Sequence, residues 1–270
     1  MAVIIGSARH DEFGKLSGGA AGDQKQKIGA GGLDWSGEVS VQNYYNNKSG
    51  WVGLRAKDPN LAAGLAFCMV VACNNANIGY DQANRLGVYK NGVDTKVKTE
   101  TDCSGLIRAC LKQCGHNVSN FTTSNEKAVL LATGLFTEVK ISKASDCCDG
   151  DILVTKSKGH TVIVVSGGKS RGWAKEVNPW PRPSKPVTSA ANAKARKIKS
   201  YVSSGDEVKW VQFELRQVSA EFKKQIDANG GVDGKCGSTT VNYITLFQIM
   251  YGLTRDGVAG SKTCDKLAAV

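Results

Sequence analysis

A chain of 270 residues with 41% hydrophobic content can bury one good core and a smaller second one, which excludes a disordered or low-complexity protein. Its formal charge of +11 points to an anionic partner: nucleic acid, a membrane surface or an acidic wall polymer. No basic stretch is interleaved with aromatics as in nucleic-acid modules, so no nucleic-acid partner is expected and the polymer ranks first.

The nine cysteines are odd in number, scattered and partly set in apolar runs, which suits a reducing compartment where thiols serve as small core residues. The start, MAVIIGSARHDE, lacks the basic region and apolar run of a signal peptide. The most apolar stretch, Leu61–Cys73, is shorter than the roughly 20 residues that span a bilayer. The expectation is a monomer made in the cytoplasm without a signal peptide and without membrane insertion.

Residues 1–57 are glycine-rich, with strands expected at Val3–Ile5 and Trp51–Leu54. SGGAAGDQ reads as a loop without the Gly-Lys-Ser/Thr ending of a phosphate loop, so no nucleotide is expected. Two readings stay open here: a surface connector, or a groove rim carrying Arg9, Asp23 and Gln24. Asp58-Pro59 then starts a helix, and LAAGLAFCMVVAC is apolar nearly all round, so this helix should be central. In NIGYDQANR, Tyr80, Gln82 and Arg85 can offer donors to carboxylates; the alternative is an ordinary helix start with solvated polar residues.

TDCSGLIRAC follows, with apolar residues at Cys103, Leu106, Ile107, Cys110, Leu111 and Cys114, the pattern of one buried helix face. Asp102 is the expected N-cap and Gly115 the stop, so Cys103 falls in the first turn. Unpaired N–H groups and the helix dipole there favour the thiolate. Ser104 and Gly105 are small and leave room for a substrate backbone. A zinc reading of Cys103, Cys110, Cys114 and His116 is weak, because three cysteines along one helix do not close a tetrahedron; neither metal nor cofactor is expected.

Thr123 to Glu126 reads as a capping box for a helix over Asn125–Ala132, and Leu135–Ile141 as a strand. Cys147-Cys148 sits in a turn without redox spacing. Ile152–Val154 is a strand, and His160 leads a hairpin of Thr161–Val165, a turn over Ser166–Gly172, and Trp173–Asn178. That register sets Asn178 opposite His160, with Glu176 on the same face, and either could orient the imidazole as a third member. His10 and His116 lack such context.

The stretch 179–200, rich in Pro, Ala, Ser and Lys, reads as a linker. The expected organisation is a first domain over 1–180, a basic linker over 181–205 and a separate unit over 206–270. In the last, Val208, Val211, Leu215 and Val218 have helical spacing. DGKCGSTT recurs as DGVAGSKT, each a tight turn whose glycines allow positive φ, followed by Ser or Thr to cap a helix.

Asp102-Cys103-Ser104-Gly105-Leu106, then Gly150-Asp151-Ile152, then His160 resembles the NlpC-type cysteine peptidases of bacterial and phage cell-wall hydrolases, over about residues 75–180. The C-terminal repeats with Phe247-Gln248 resemble the three-helix peptidoglycan-binding module of such enzymes. The resemblance implies an α+β, papain-like domain, a cysteine-bearing helix packed on an antiparallel sheet bearing the histidine, plus a small all-α domain. It implies an endolysin that cleaves the peptidoglycan stem peptide at the D-glutamyl–diamino acid bond, Cys103 attacking and His160 serving as base. A tyrosine lining the site is implied too, with Tyr80 and Tyr89 as candidates; Asp102 and Ser104 would border it. The alternatives are a CHAP-type N-acetylmuramoyl-L-alanine amidase with the same chemistry, and a non-catalytic wall-binding protein.

Overall fold

The computed structural model describes residues 2–29, 32–169 and 176–270. The chain divides into two compact units, Met1–Arg171 and Gly172–Val270. In chain order the first carries β1 (Ile4–Ala8), β2 (Val39–Asn43), β3 (Trp51–Ala56), α1 (Pro59–Cys73), β4 (Ile78–Tyr80), α2 (Gly87–Asn91) and β5 (Thr99–Thr101). Then come α3 (Cys103–Gln113), α4 (Glu126–Ala132), β6 (Phe136–Ile141), β7 (Ile152–Thr155) and β8 (Thr161–Ser166).

Six strands form one antiparallel sheet in the order β2-β1-β8-β7-β3-β6. β8 runs near its middle, and Thr161 to Val165 are all buried, so both faces of the sheet are covered there. On one face Val162 and Val164 pack with Val3, Ile5, Trp51 and Leu153. Strand alternation turns Thr161 and Ile163 to the other face, where α1 and α3 lie across β8. The mixed α/β architecture with an antiparallel sheet is thus as expected.

α1 behaves as its composition demands. Asp58 caps it by accepting from Asn60 N at 2.8 Å, and Leu65, Phe67, Cys68 and Met69 are all buried. It packs on α3, where the sulfurs of Cys68 and Cys114 come within 3.9 Å. The Gly150-Asp151 segment locks β7 to its neighbours. Gly150 has φ +83°, and a Cβ there would stand 2.1 Å from the Ala62 carbonyl oxygen of α1. Asp151 accepts from Arg55 Nε at 2.9 Å and Nη2 at 2.7 Å, and from the Cys148 N–H at 2.8 Å. Its role is to hold β7 to β3 through a fork of charge-assisted bonds.

The second unit contains α5 (Ala190–Ala195), α6 (Asp206–Arg216), α7 (Ala220–Ala228), α8 (Ser238–Met250) and α9 (Ser261–Ala269). The span 206–270 therefore holds four described helices rather than three. Residues 181–205 are not a free linker: Val187 is fully buried and exchanges backbone bonds with Ala259 at 2.9 and 3.1 Å. Thr188 and Ala193 are buried as well, so this basic stretch belongs to the second unit despite its prolines. The expected strand Trp173–Asn178 falls partly outside the described residues, and 176–178 make no strand.

The two DG repeats are built alike, each around a buried glutamine. Gln212 Nε2 donates to Asp233 Oδ1, the Lys235 carbonyl and Thr240 Oγ1, while its Oε1 accepts from Gly234 N. Gln248 does the same with Asp256, Val258, Thr263 and Gly257 N. Gly234 and Gly257 have the expected positive φ, 73° and 65°. The Ser/Thr caps are not realised: Gly237 and Gly260 are the N-caps, without side-chain bonds, and each Thr hydroxyl serves its glutamine instead.

The Gly150 packing gives a direct check. Gly150→Ala should lower the unfolding free energy in urea by about 2 kcal/mol or more, from strain plus a backbone clash. A variant within about 0.5 kcal/mol of the parent would contradict that close approach.

Candidate active site at the head of α3

β5 pairs in parallel with β4 and feeds into α3, with Tyr80 opposite Thr101. Asp102, extended at φ −99°, caps the helix: its Oδ1 accepts from Gly105 N at 2.5 Å and Ser104 Oγ at 3.1 Å. Its Oδ2 takes Arg85 Nε at 2.8 Å. The same guanidinium reaches Ser104 Oγ at 2.9 Å, the Phe121 carbonyl at 2.6 Å and Asn120 Oδ1 at 3.0 Å. A Cβ on Gly105 would stand 2.2 Å from the Arg85 carbonyl, so only glycine lets that segment seat on the helix head. Arg85, Asp102 and Ser104, expected as ligand contacts, spend their polar atoms aiming Cys103.

Cys103 is 8% exposed. The backbone N–H groups of Thr161 and Ser104 lie near enough to its sulfur to favour the negative form. The first belongs to the peptide that joins His160 to Thr161, so the thiol meets the strand at the histidine. Burial pushes the thiol up to about 12, helped by the Asp102 and Glu126 carboxyls and opposed by the two N–H groups. The expected resting thiolate is therefore corrected: desolvation outweighs the helix start.

His160 stands just before β8, its N–H donating to Thr155 Oγ1 at 3.1 Å and its carbonyl accepting from Thr155 N at 2.9 Å. Burial, seconded by the positive charge of Arg9, holds the imidazole down at about 4. Near neutral pH the thiol is then protonated and the imidazole neutral, so the ring retains a lone pair to accept a proton.

Arg9 donates to Ser40 Oγ at 2.5 Å and Ser40 O at 3.1 Å, and its charge acts on His160. Tyr80 is buried, interacts electrostatically with Cys103 and Asp102, and its hydroxyl accepts from Gln82 Nε2 at 3.2 Å. Burial pushes that phenol up to about 12, leaving it a hydrogen donor. Tyr89 lies elsewhere: its ring sits under Arg108 at 3.8 Å, one and a half turns along α3 from Cys103.

The AGDQ loop is closed on itself. Asp23 accepts from the N–H groups of Lys25 and Val39, and Gln24 Nε2 donates to the carbonyls of Ala21 and Gly22. Buried Glu38 ties this loop to β4 by accepting from Gln24 N at 3.0 Å and Tyr80 N at 2.9 Å. Asp23 and Gln24 thus brace the strand that carries Tyr80.

Asn178 and Glu176, the expected third members, belong to the second unit and bond within it. Asn178 Nδ2 donates to the Trp210 carbonyl at 3.1 Å and Glu214 Oε1 at 2.9 Å, and Glu176 N donates to Gln217 Oε1 at 2.6 Å, all within the second unit. The expectation assumed a hairpin carried on to residue 178; β8 ends at Ser166, and the described 176–178 continue no strand. Among the described residues no hydrogen bond to the His160 ring is found.

Glu126 was missed. It is fully buried and accepts from Thr161 Oγ1 at 2.9 Å, and Asn125 caps α4 without a side-chain bond to the helix, its Oδ1 accepting from Thr122 N instead. Its spacing of four from buried Leu130 was the available signal, since it sets Glu126 on the apolar face of α4. A cavity of about 490 Å³ opens beside α4, lined by residues including Val52, Leu131, Val154, Thr155 and Lys158. Thr155 makes one wall of it while holding the His160 main chain. No group of three or more His, Cys, Asp or Glu among the described residues is placed to hold a metal.

The His160 shift carries a stability prediction. Unfolded histidine takes up a proton below its ordinary 6.5, whereas the folded ring resists until about 4. This contribution is whole above that ordinary value and is lost as pH falls through the window. Urea titrations at pH 7 and pH 5 should show a smaller acid loss for His160→Asn than for the parent; equal losses would place the ring in solvent.

Residues 5–171 match the endolysin-like domain model, and residues 204–267 match a peptidoglycan binding domain model. N-acetylmuramoyl-L-alanine amidase CwlL of Bacillus licheniformis is 37% identical over 71 residues, which is 26% of this chain and 19% of that protein. A "Probable N-acetylmuramoyl-L-alanine amidase" of the same organism is 34% identical over 74 residues, 27% of this chain and 21% of that protein. The chain thus spans about a fifth of the length of these relatives. No solved structure matches the chain. With more than half of its length matched by one model, the chain belongs to the endolysin-like domain family, followed by a peptidoglycan-binding domain.

Proposed function

We propose that this chain is a peptidoglycan hydrolase that cuts the stem peptide, with Cys103 as nucleophile and His160 as general base. One observation carries the reading: the Thr161 N–H, in the peptide that joins His160 to Thr161, lies near enough to the Cys103 sulfur to favour its negative form. The match to an endolysin-like and a peptidoglycan-binding domain supports the substrate.

In this reading the wall peptide displaces water over α3, and the Cys103 sulfur attacks the scissile carbonyl carbon as its proton passes to the His160 ring. The negative oxygen is met by N–H groups at the start of α3. The imidazolium returns the proton to the departing amine, the C–N bond breaks, and a thioester remains. Water then attacks the thioester carbonyl, losing a proton to His160, and the thiol leaves with that proton. Arg9 and Tyr80 border this centre as a cation and a hydrogen donor suited to peptide carboxylates and carbonyls. Contacts of α3 and α1 with β8 support a papain-like arrangement.

The DCSG, GD and His160 set favours an NlpC-type endopeptidase acting at the D-glutamyl–diamino acid bond. A second reading, an amidase that cuts between the sugar and L-alanine, is favoured by the names of the two relatives. A wall-binding protein without catalysis is the reading of another class. Synthesis in the cytoplasm and action on the wall after release fit the endolysin reading.

Cys103→Ala should cut the clearing rate of purified walls on the order of 10³-fold or more, with circular dichroism and wall binding unchanged. Clearing at the parental rate would assign the chemistry to another group, and no clearing by the parent would favour the non-catalytic reading. Mass analysis of the fragments decides the bond: an endopeptidase leaves L-Ala–D-Glu on the sugar, whereas released peptides beginning with alanine would establish the amidase. The fragment Gly172–Val270 should sediment with peptidoglycan; a folded fragment that stays in the supernatant at low and high salt would remove its wall-binding role.

A further inference from the structure

Glu126 is sealed from solvent at the start of α4. A buried carboxyl is costly unless its oxygens are partnered. Among the described residues only one of them is: Oε1 accepts from Thr161 Oγ1 at 2.9 Å, and Oε2 finds no partner there. Thr161 is held from every side. Its carbonyl accepts from Ser7 Oγ at 2.7 Å, its N–H lies near the Cys103 sulfur and favours its negative form, and it pairs with Val154 of β7. The preceding residue is His160. A single side chain therefore stands between Glu126 and both members of the cysteine–histidine pair.

We propose that Glu126 is a positioning residue of this site: by fixing Thr161 it keeps that N–H near the Cys103 sulfur and His160 beside it. This rests on the cysteine–histidine reading above. The groups that act on this corner are Asp102 and Cys103 from α3, Thr161 and His160 from β8, and Arg9 beside His160. Lys127, next along α4, pairs outside with Glu138. Burial, with the Asp102 charge adding and the Thr161 hydroxyl opposing, raises Glu126 to about 8. At neutral pH it is an uncharged acid and does not oppose a negative sulfur. Once ionised, it repels the thiolate. The reactivity of Cys103 should then rise with pH less steeply above that value than a lone thiol would.

The test is the rate of iodoacetamide alkylation at Cys103, read by peptide mass mapping from pH 6 to pH 10 in full-length parent, Glu126→Gln, Glu126→Ala and His160→Ala. Glutamine keeps the shape and the acceptor for Thr161 but cannot ionise. Glu126→Gln should match the parent within about twofold at pH 7 and exceed it several-fold above pH 8, while Glu126→Ala falls about tenfold at pH 7. Identical profiles for the parent and Glu126→Gln, or an alanine variant as reactive as the parent, would overturn the proposal. If the alanine variant does not fold, the glutamine profile decides alone. Wall clearing by His160→Ala at the parental rate would instead overturn the cysteine–histidine reading, and this inference with it.

Discussion

The Arg85–Asp102 ion pair is the constraint on which the rest of the first unit depends. One carboxylate oxygen caps α3 and the other is gripped by Arg85, at 2.5 and 2.8 Å respectively. The helix is thereby fixed in direction at its first residue, which is Cys103. Buried ion pairs add little net stability, but breaking one strands a charge. Here the pair confers aim: it ties β5, the Arg85 segment and the Phe121 segment to the head of α3, so the thiol points at the start of β8.

Two opposed electrostatic influences meet at that thiol. The helix start and two backbone N–H groups favour a negative sulfur, while burial and the Asp102 carboxylate disfavour it, joined by Glu126 once that acid ionises. Burial dominates, so the resting pair is neutral on both sides, with the imidazole lowered by the same burial and by Arg9. In the proposed reaction the thiolate forms as the substrate arrives, when His160 accepts the proton and the forming charge meets preset dipoles. The closed setting that makes the resting thiol inert also strengthens every interaction with the transition state.

What could be read from the sequence was what local physics dictates. The start of α3 is visible because cap, small residues and apolar spacing all lie within a dozen residues. β8 is visible because a strand near the middle of a sheet reads as an unbroken apolar run. β2, β4 and β5 were not read; the last two are three residues each and exist only because Ile78–Tyr80 finds Thr99–Thr101. Their pairing is non-local, and no period of two can show in three residues. Glu126 was read as a cap residue because Thr-x-x-Glu is a local signature, whereas its partner Thr161 comes from a distant strand. Asn178 and Glu176 were inferred by extending a hairpin past its last pairing, and the prolines near residue 180 were read as slack although Val187 is buried two residues after Lys185. In the second unit the DG turns were legible, but the glutamines that clamp them come from preceding helices.

Central to the proposed function is a covalent bond from Cys103 to the wall peptide, formed with His160 in attendance. Mixing full-length protein with purified peptidoglycan, quenching in acid within the first turnover and mapping the peptides by mass tests it most directly. A thioester adduct of stem-peptide mass on Cys103, absent when His160 is replaced by alanine, is the predicted result. Walls that dissolve while Cys103 stays unmodified at every quench time, with the adduct on another residue or on none, would contradict it.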